Sequence, residues 1–308
     1  MRKVALLSLV AVFAACGSSS SNTTGTGYVR VGNLAPDLGA LDFCVRPTGG
    51  TYGSPVMAGI GGGLGSAGLV AAGSVDEGSF AVSRYFSYTA GTYDIAVFQS
   101  GLLGASCANP LLTASSVSLG DGVYKLVAAV GKTGATGAPH ALVTFTDERT
   151  VTSANVLIRF VNTGLATLDG TNFFPLPAID LGVTTASTGY QAIFTNVAYP
   201  GKAAQTAAVN ANGYATVPAA SFSGAVDLTV CPTGFTPATV VPPYVCQSIP
   251  VPAGRITGGV VASAYVINVA GFPPGVPNSL LCGDNTVLPP IGGVVWPYSA
   301  CTTNPGGT

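Results

Sequence analysis

Charge is what this sequence has least of. Only 7% of its 308 residues are Asp, Glu, Lys or Arg, and the glutamates are just Glu77 and Glu148. Histidine occurs once, at His140, and tryptophan once, at Trp296. Each shortage excludes something. A disordered chain pairs low hydrophobicity with high charge, whereas 48% of this chain is hydrophobic. A coiled coil or long helical bundle draws heavily on Glu, Lys and Leu. A nucleic-acid binder needs a basic surface, yet 11 Lys and Arg stand against 12 Asp and Glu. What is abundant is Gly (42), Pro (22), and the Thr, Ser, Val, Ala and Tyr of an exported all-β chain. The length suits two domains, each able to bury a core.

The N-terminus reads as an address. Arg2 and Lys3 precede an uncharged apolar run, Val4 to Ala15, too short to span a bilayer as a helix. Phe13-Ala14-Ala15-Cys16 resembles the bacterial lipobox, with Phe13 where Leu is usual. The resemblance implies a signal peptide over 1–15, cleavage before Cys16, and lipidation of the Cys16 thiol. It also implies a membrane as partner through that anchor. Gly17 in place of Asp implies the outer membrane where enteric-type sorting holds. An ordinary signal peptide cut at Val12-Phe13-Ala14 is the alternative. Residues 16–27 then form a flexible Gly/Ser/Thr tether. Cleavage leaves nine basic and twelve acidic side chains, a formal net of −3. No polyanion partner is expected.

One unit occurs twice. Tyr28-Val29-Arg30-Val31-Gly32-Asn33 is echoed by Leu157-Ile158-Arg159-Phe160-Val161-Asn162. Leu41-Asp42-Phe43 returns as Ile179-Asp180-Leu181, and Ala90 to Val97 returns as Ser223 to Val230. Val117 to Val130 returns as Ile249 to Ala262, with Gly122 matching Gly254. The same order and similar spacing predict domains at 28–147 and 154–271, with a Pro-rich tail over 272–308. Asp147-Glu148-Arg149-Thr150, the densest charge cluster, lies in the junction.

Each unit reads as short strands. Tyr93, Ile95 and Val97 alternate with Asp94 and Ala96, as do Val226, Leu228 and Val230 with their neighbours, which is the half-buried strand period. Gly120-Asp121-Gly122 and Pro252-Ala253-Gly254 read as hairpin turns. About seven strands per unit predict two tandem antiparallel β-sandwiches, Ig-like or transthyretin-like, with an up-and-down barrel as the alternative.

Arg30-Val31-Gly32-Asn33-Leu34-Ala35-Pro36-Asp37 followed by Leu41-Asp42-Phe43-Cys44-Val45 resembles the opening of the DUF4397 domain family. Ala90-Gly91-Thr92-Tyr93 and the strand Gly120 to Gly131, with Tyr124, resemble its later features. The second copy is diverged, with Gly164-Leu165 where the family has Pro-Asp. The resemblance implies an exported cell-surface β-sandwich and brings no catalytic residues.

Six cysteines remain besides Cys16, an even number that in an exported chain predicts disulfides. No two are closer than Cys231 and Cys246, so a zinc cluster is not expected. The repeat alignment and strand parity predict Cys44–Cys107, Cys231–Cys246 and Cys282–Cys301. The first two would each clip a loop onto the outer face of its own sandwich.

Other patterns read as architecture. Gly63-Leu64-Gly65-Ser66-Ala67-Gly68 spells GxGxxG but lacks the following helix that a dinucleotide site requires. Asp37 after Pro36 reads as a turn residue bonded to nearby backbone N–H groups. Asp42 and Asp180 recur at one repeat position, and with Asp227 they form no carboxylate pair placed for catalysis. His140 reads as an exposed loop residue. Trp296 and Tyr298 could stack on a sugar or Pro-rich peptide, or could pack the tail. No catalytic residue, cofactor or metal is expected. The expected role is non-enzymatic: binding, adhesion or envelope structure at the bacterial surface. Carbohydrate or peptide binding through sandwich loops and the tail aromatics is the alternative.

Overall fold

The computed structural model describes residues 25–35, 37–38, 41–56, 81–83, 85–99, 107, 109–167, 172–185, 188–240, 246–267, 278–285 and 301–304. The signal peptide, Cys16, the Gly63–Gly68 pattern, Trp296 and Tyr298 lie outside them.

The fold is all-β, two sandwiches in tandem. The first comprises β1 (Thr26–Asn33), β2 (Leu41–Pro47), β3 (Ala81–Val82), β4 (Phe86–Thr89), β5 (Gly91–Gln99), β6 (Leu112–Leu119), β7 (Tyr124–Val130) and β8 (Ala141–Asp147). One sheet runs β3-β1-β7-β8, with β4 beside β3 on the same edge of β1; the other runs β2-β5-β6. The second sandwich comprises β9 (Asn155–Asn162), β10 (Leu165–Thr167), β11 (Phe173–Pro175), β12 (Ile179–Thr185), β13 (Gly189–Val197), β14 (Gly201–Lys202), β15 (Tyr214–Pro218), β16 (Val226–Pro232), β17 (Gln247–Val251), β18 (Val261–Ile267), β19 (Asn278–Gly283) and β20 (Cys301–Asn304). Its sheets run β14-β9-β18-β19-β20, with β15 also on β9, and β13-β12-β16-β17. A β10-β11 ribbon stands apart, and one 3-10 turn, Ala219–Phe222, is the sole helix among the described residues.

Strand alternation builds the layers. Val29 and Val31 of β1, Phe43 of β2, Ile95 and Val97 of β5, and Val127 of β7 fill the first core. Ile158 and Phe160 of β9, Leu181 of β12 and Leu228 of β16 fill the second. In the centre of β1 and β9, residues in the other phase do not meet solvent either. Arg30 and Arg159 are fully buried between Val29 and Val31 and between Ile158 and Phe160. The outward faces of the β1 and β9 sheets pack on each other. There Leu34, Leu126, Val130 and Phe145 meet Val161, Tyr265 and Cys282. The result is four stacked layers, the two inner sheets covered on both faces.

Three sequence readings change. The glycine turns at Gly122 and Gly254, both at positive φ, do not close hairpins. They carry the chain from one sheet to the other, and β7 and β18 then pair in parallel with β1 and β9. The tether ends before Thr26, where β1 begins, and a side chain at Gly27 would meet Leu119 Cβ at 2.7 Å. The tail is not an appendage: β19 pairs with β18 and β20 with β19, extending the second sandwich's inner sheet.

Cys44–Cys107 and Cys231–Cys246 are bonded. Cys44 faces away from the first core and is buried by Tyr52, Ala96, Phe98 and Cys107. Cys282 is disulfide-bonded and stands opposite Cys301 on the β19–β20 ladder; the Cys301 side chain lies outside the described residues. Gly182 holds the repeat position of Cys44, and the Tyr190 ring covers it instead. A Cβ there would collide with that ring and lie 2.5 Å from the Gln191 carbonyl oxygen. Gly182→Ala is therefore expected to destabilise the protein by about 1–3 kcal/mol through overpacking, read as a lower urea midpoint.

Candidate functional site

Four of the charged groups, Arg30, Arg159, Asp147 and Asp284, converge on the junction. Arg30 donates from Nε to Asp147 Oδ2 at 2.7 Å, and its Nη2 bonds Asp284. Arg159 donates from Nη2 to Asp147 Oδ1 at 2.5 Å, from Nε to Ser263 Oγ at 2.9 Å, and from Nη1 to the Thr146 carbonyl at 3.0 Å. Tyr85 donates to Asp147 Oδ2, and Tyr214 and Ser263 both donate to Asp284 Oδ2, each at 2.6 Å. Asp147 ends β8, the strand beside β7, and Asp284 follows β19, the strand beside β18. The cluster thus obeys the repeat, two arginines and two aspartates in equivalent places. Burial pushes the Asp147 carboxyl upward, but Arg30 and Arg159 outweigh it and hold it below the usual carboxylate range. Burial pushes the Tyr85, Tyr214 and Tyr265 hydroxyls up, so all three stay protonated; Tyr265 accepts from Arg159 Nη2 at 3.2 Å. This chemistry is cohesive. The two buried arginines are paired with the two buried aspartates inside protein.

Sequence reasoning did not assign this cluster. The available signal was Arg30 and Arg159 at one repeat position in a chain with so little charge, together with Asp147 in the junction.

Of the aspartates singled out from the sequence, Asp180 ties loops together. Asp180 accepts from the Asn196 N–H at 2.7 Å, the Thr233 hydroxyl at 2.9 Å and the Gly234 N–H at 3.0 Å. Asp42 is buried on β2, and Asp227 faces Thr184 across the β12–β16 ladder. None of these is brought together with another. Asp37 accepts from the distant Thr133 N–H at 2.9 Å, while residues 36, 39 and 40 beside it lie outside the described residues. His140 is not an exposed loop residue. Its Nε2 lies 2.7 Å from Asp37 Oδ1, with both side chains about four-fifths covered. Burial raises the Asp37 carboxyl, while the His140 and Thr133 bonds lower it further than burial raises it. Its stabilising contribution is present above the unfolded carboxyl pKa and is lost as pH falls through the lowered folded value. His140→Ala is expected to cost up to about 1 kcal/mol at neutral pH, as partly exposed pairs do, and to let Asp37 titrate higher, read by NMR.

A concave feature lies elsewhere among the described residues. A groove of about 600 Å³ opens between β13 and β15, the edge strands of the second sandwich's two sheets. That volume is within the usual range of ligand sites. Val183, Ile193, Val217 and Val226 form an apolar floor, while Thr185, Thr188, Gln191, Ser221 and Ser223 supply hydroxyls and an amide. Thr185 Oγ1 and Thr188 Oγ1 are 2.7 Å apart, and the Ser223 hydroxyl donates to the Ala220 carbonyl at 2.8 Å. Among the described residues, the lining carries no charged side chain and no imidazole.

No protein-family model and no curated protein matches the chain. Among solved structures, it is similar to a family 26 carbohydrate-binding module from Eubacterium rectale, solved with maltoheptaose. That match has 10% identity and a TM-score of 0.21, covering 80% of this chain and 94% of the other. It is also similar to a fimbrial assembly protein from Parabacteroides distasonis, at 11% identity and a TM-score of 0.20, covering 84% and 96%. Likeness at these TM-scores carries no functional argument; the all-β fold stands on the chain's own sheets.

Proposed function

We propose that this chain is an exported surface protein that binds an uncharged ligand in the groove between β13 and β15 and catalyses nothing. The observation that carries this reading is the groove's lining: hydroxyls and an amide over an apolar floor, with no charge. Hydroxyl and amide groups exchange hydrogen bonds with a polyol in either direction, and the floor accepts its apolar faces. A neutral polysaccharide is the ligand class that fits. An uncharged extended peptide is the second reading, favoured because the outer edge of β13 has no strand partner among the described residues and carries neither proline nor charge. The paired junction charges and the Asp37-bound His140 support a role without catalysis. The disulfides support a location outside the cytoplasm. Lipidation at Cys16, outer-membrane attachment and kinship of the first repeat with the DUF4397 family belong to the same proposal.

Glycan and peptide arrays probed with the mature protein test it. Gly224 lines the groove, and a Cβ there meets nothing within 4 Å, so Gly224→Trp can fill the space without disturbing the fold. The variant is expected to keep its melting temperature and to bind array hits at least about tenfold more weakly, a loss of about 1.4 kcal/mol. Undiminished binding would move the site away from this groove.

A further inference from the structure

We propose that residues 278–284, β19 and the residue after it, are a strap that closes the junction between the sandwiches, and that the disulfide at Cys282 sets whether the strap is closed. The strap supplies what the first sandwich cannot. Arg30 bonds Asp284 and donates from Nη1 to the Gly283 carbonyl at 3.3 Å, so two of its three partners come from these two residues. Arg149, just beyond β8, bonds the Asp284 carbonyl. Tyr214 of β15 and Ser263 of β18 hold the other carboxylate oxygen, and Asn285 pins the strap's end by donating to the Gly259 carbonyl at 2.7 Å.

Charge balance makes the strap necessary. Arg30 and Arg159 are buried, and Asp147 offsets only one of them. Arg149 adds positive charge at the rim over the Tyr85 and Tyr124 rings; Tyr85 and Tyr214 are neutral donors to the carboxylates, and Tyr265 is a neutral acceptor from Arg159. Without Asp284 a buried guanidinium would lack its counter-charge, which is unfavourable in a low-dielectric interior.

The disulfide sits at the same place. Cys282 is fully buried in the apolar junction cluster, beside residues of the first sandwich. Its cross-strand neighbour is Cys301 of β20, an edge strand paired only with β19 among the described residues. Reduction by a dithiol delivers two electrons and two protons. The Cys282 disulfide becomes two thiols and the dithiol becomes a disulfide. With the Cys282–Cys301 pairing that the repeat alignment predicts, β20 is then held by its ladder alone. Once β20 leaves, β19 is itself an edge strand, Asp284 can move out, and the sandwiches part at the junction.

Trypsin reads this directly, because Arg149 lies in the junction. The mature chain, purified oxidised, is compared with Cys282→Ala/Cys301→Ala, with Asp284→Asn, and with Cys44→Ala/Cys107→Ala as the control that keeps the strap. The oxidised chain and the control are expected to resist cleavage at Arg149. The strap variants are expected to be cut there quickly while amide protection of β5 and β16 persists. If the strap variants fail to fold, oxidised protein is treated with dithiol and Cys282 reduction is followed by mass. Arg149 protection retained after reduction overturns the proposal. So does loss of β5 and β16 protection together with Arg149, which would make the bond a staple for the whole fold.

Discussion

Asp147→Ala is expected to lower unfolding free energy by about 3–5 kcal/mol at pH 7, the cost of leaving buried guanidiniums without their partner. Arg30 and Arg159 both bond this carboxylate, and neither has solvent to turn to. Urea unfolding at neutral pH measures the loss. A change below about 1 kcal/mol would mean that the junction charges contribute no more than surface pairs do. The pH dependence follows from the lowered Asp147 pKa. Its contribution is complete above the unfolded carboxyl pKa and disappears as pH falls through the folded value. Asp147→Ala should therefore also flatten the acid limb of the stability profile.

Cys44→Ala/Cys107→Ala should cost about 4 kcal/mol in the chain-entropy view, because the bridge spans 63 residues of sequence. Cys231→Ala/Cys246→Ala, spanning 15, should cost about 3 kcal/mol. Non-reducing urea melts of the two double variants give both numbers. The order matters more than the sizes, since strain and residual unfolded structure shift each value. A smaller loss for the longer loop would argue that the Cys107 loop is already held by its packing on Ala96 and Phe98.

The repeat made much of this fold legible. Once Arg30 and Arg159, Leu41 and Ile179, and Ala90 and Ser223 are aligned, paired sandwiches and two disulfides follow from strand parity. The junction was harder to read for a physical reason. Alternation along β1 reads Arg30 as the solvent-facing phase of a half-buried strand, and only the second sandwich converts that face into interior. The clustered prolines of the tail hid the strand Asn278–Gly283, which pairs with β18 just before it in the chain. Asp284 was invisible as a partner because its charge is matched 254 residues away, at Arg30. The groove depends on how the β12–β13 hairpin approaches β15, a relation with no signature in local sequence. His140 and Asp37 are 103 residues apart, so a turn and a loop histidine were the natural local readings.

The claim that organises this account is that buried charge joins two repeats into one body. Differential scanning calorimetry of the oxidised mature chain at neutral pH tests it most directly. The account requires a single cooperative transition, which Asp147→Ala resolves into two. Two independent transitions in the unaltered chain, one for each sandwich, would contradict it.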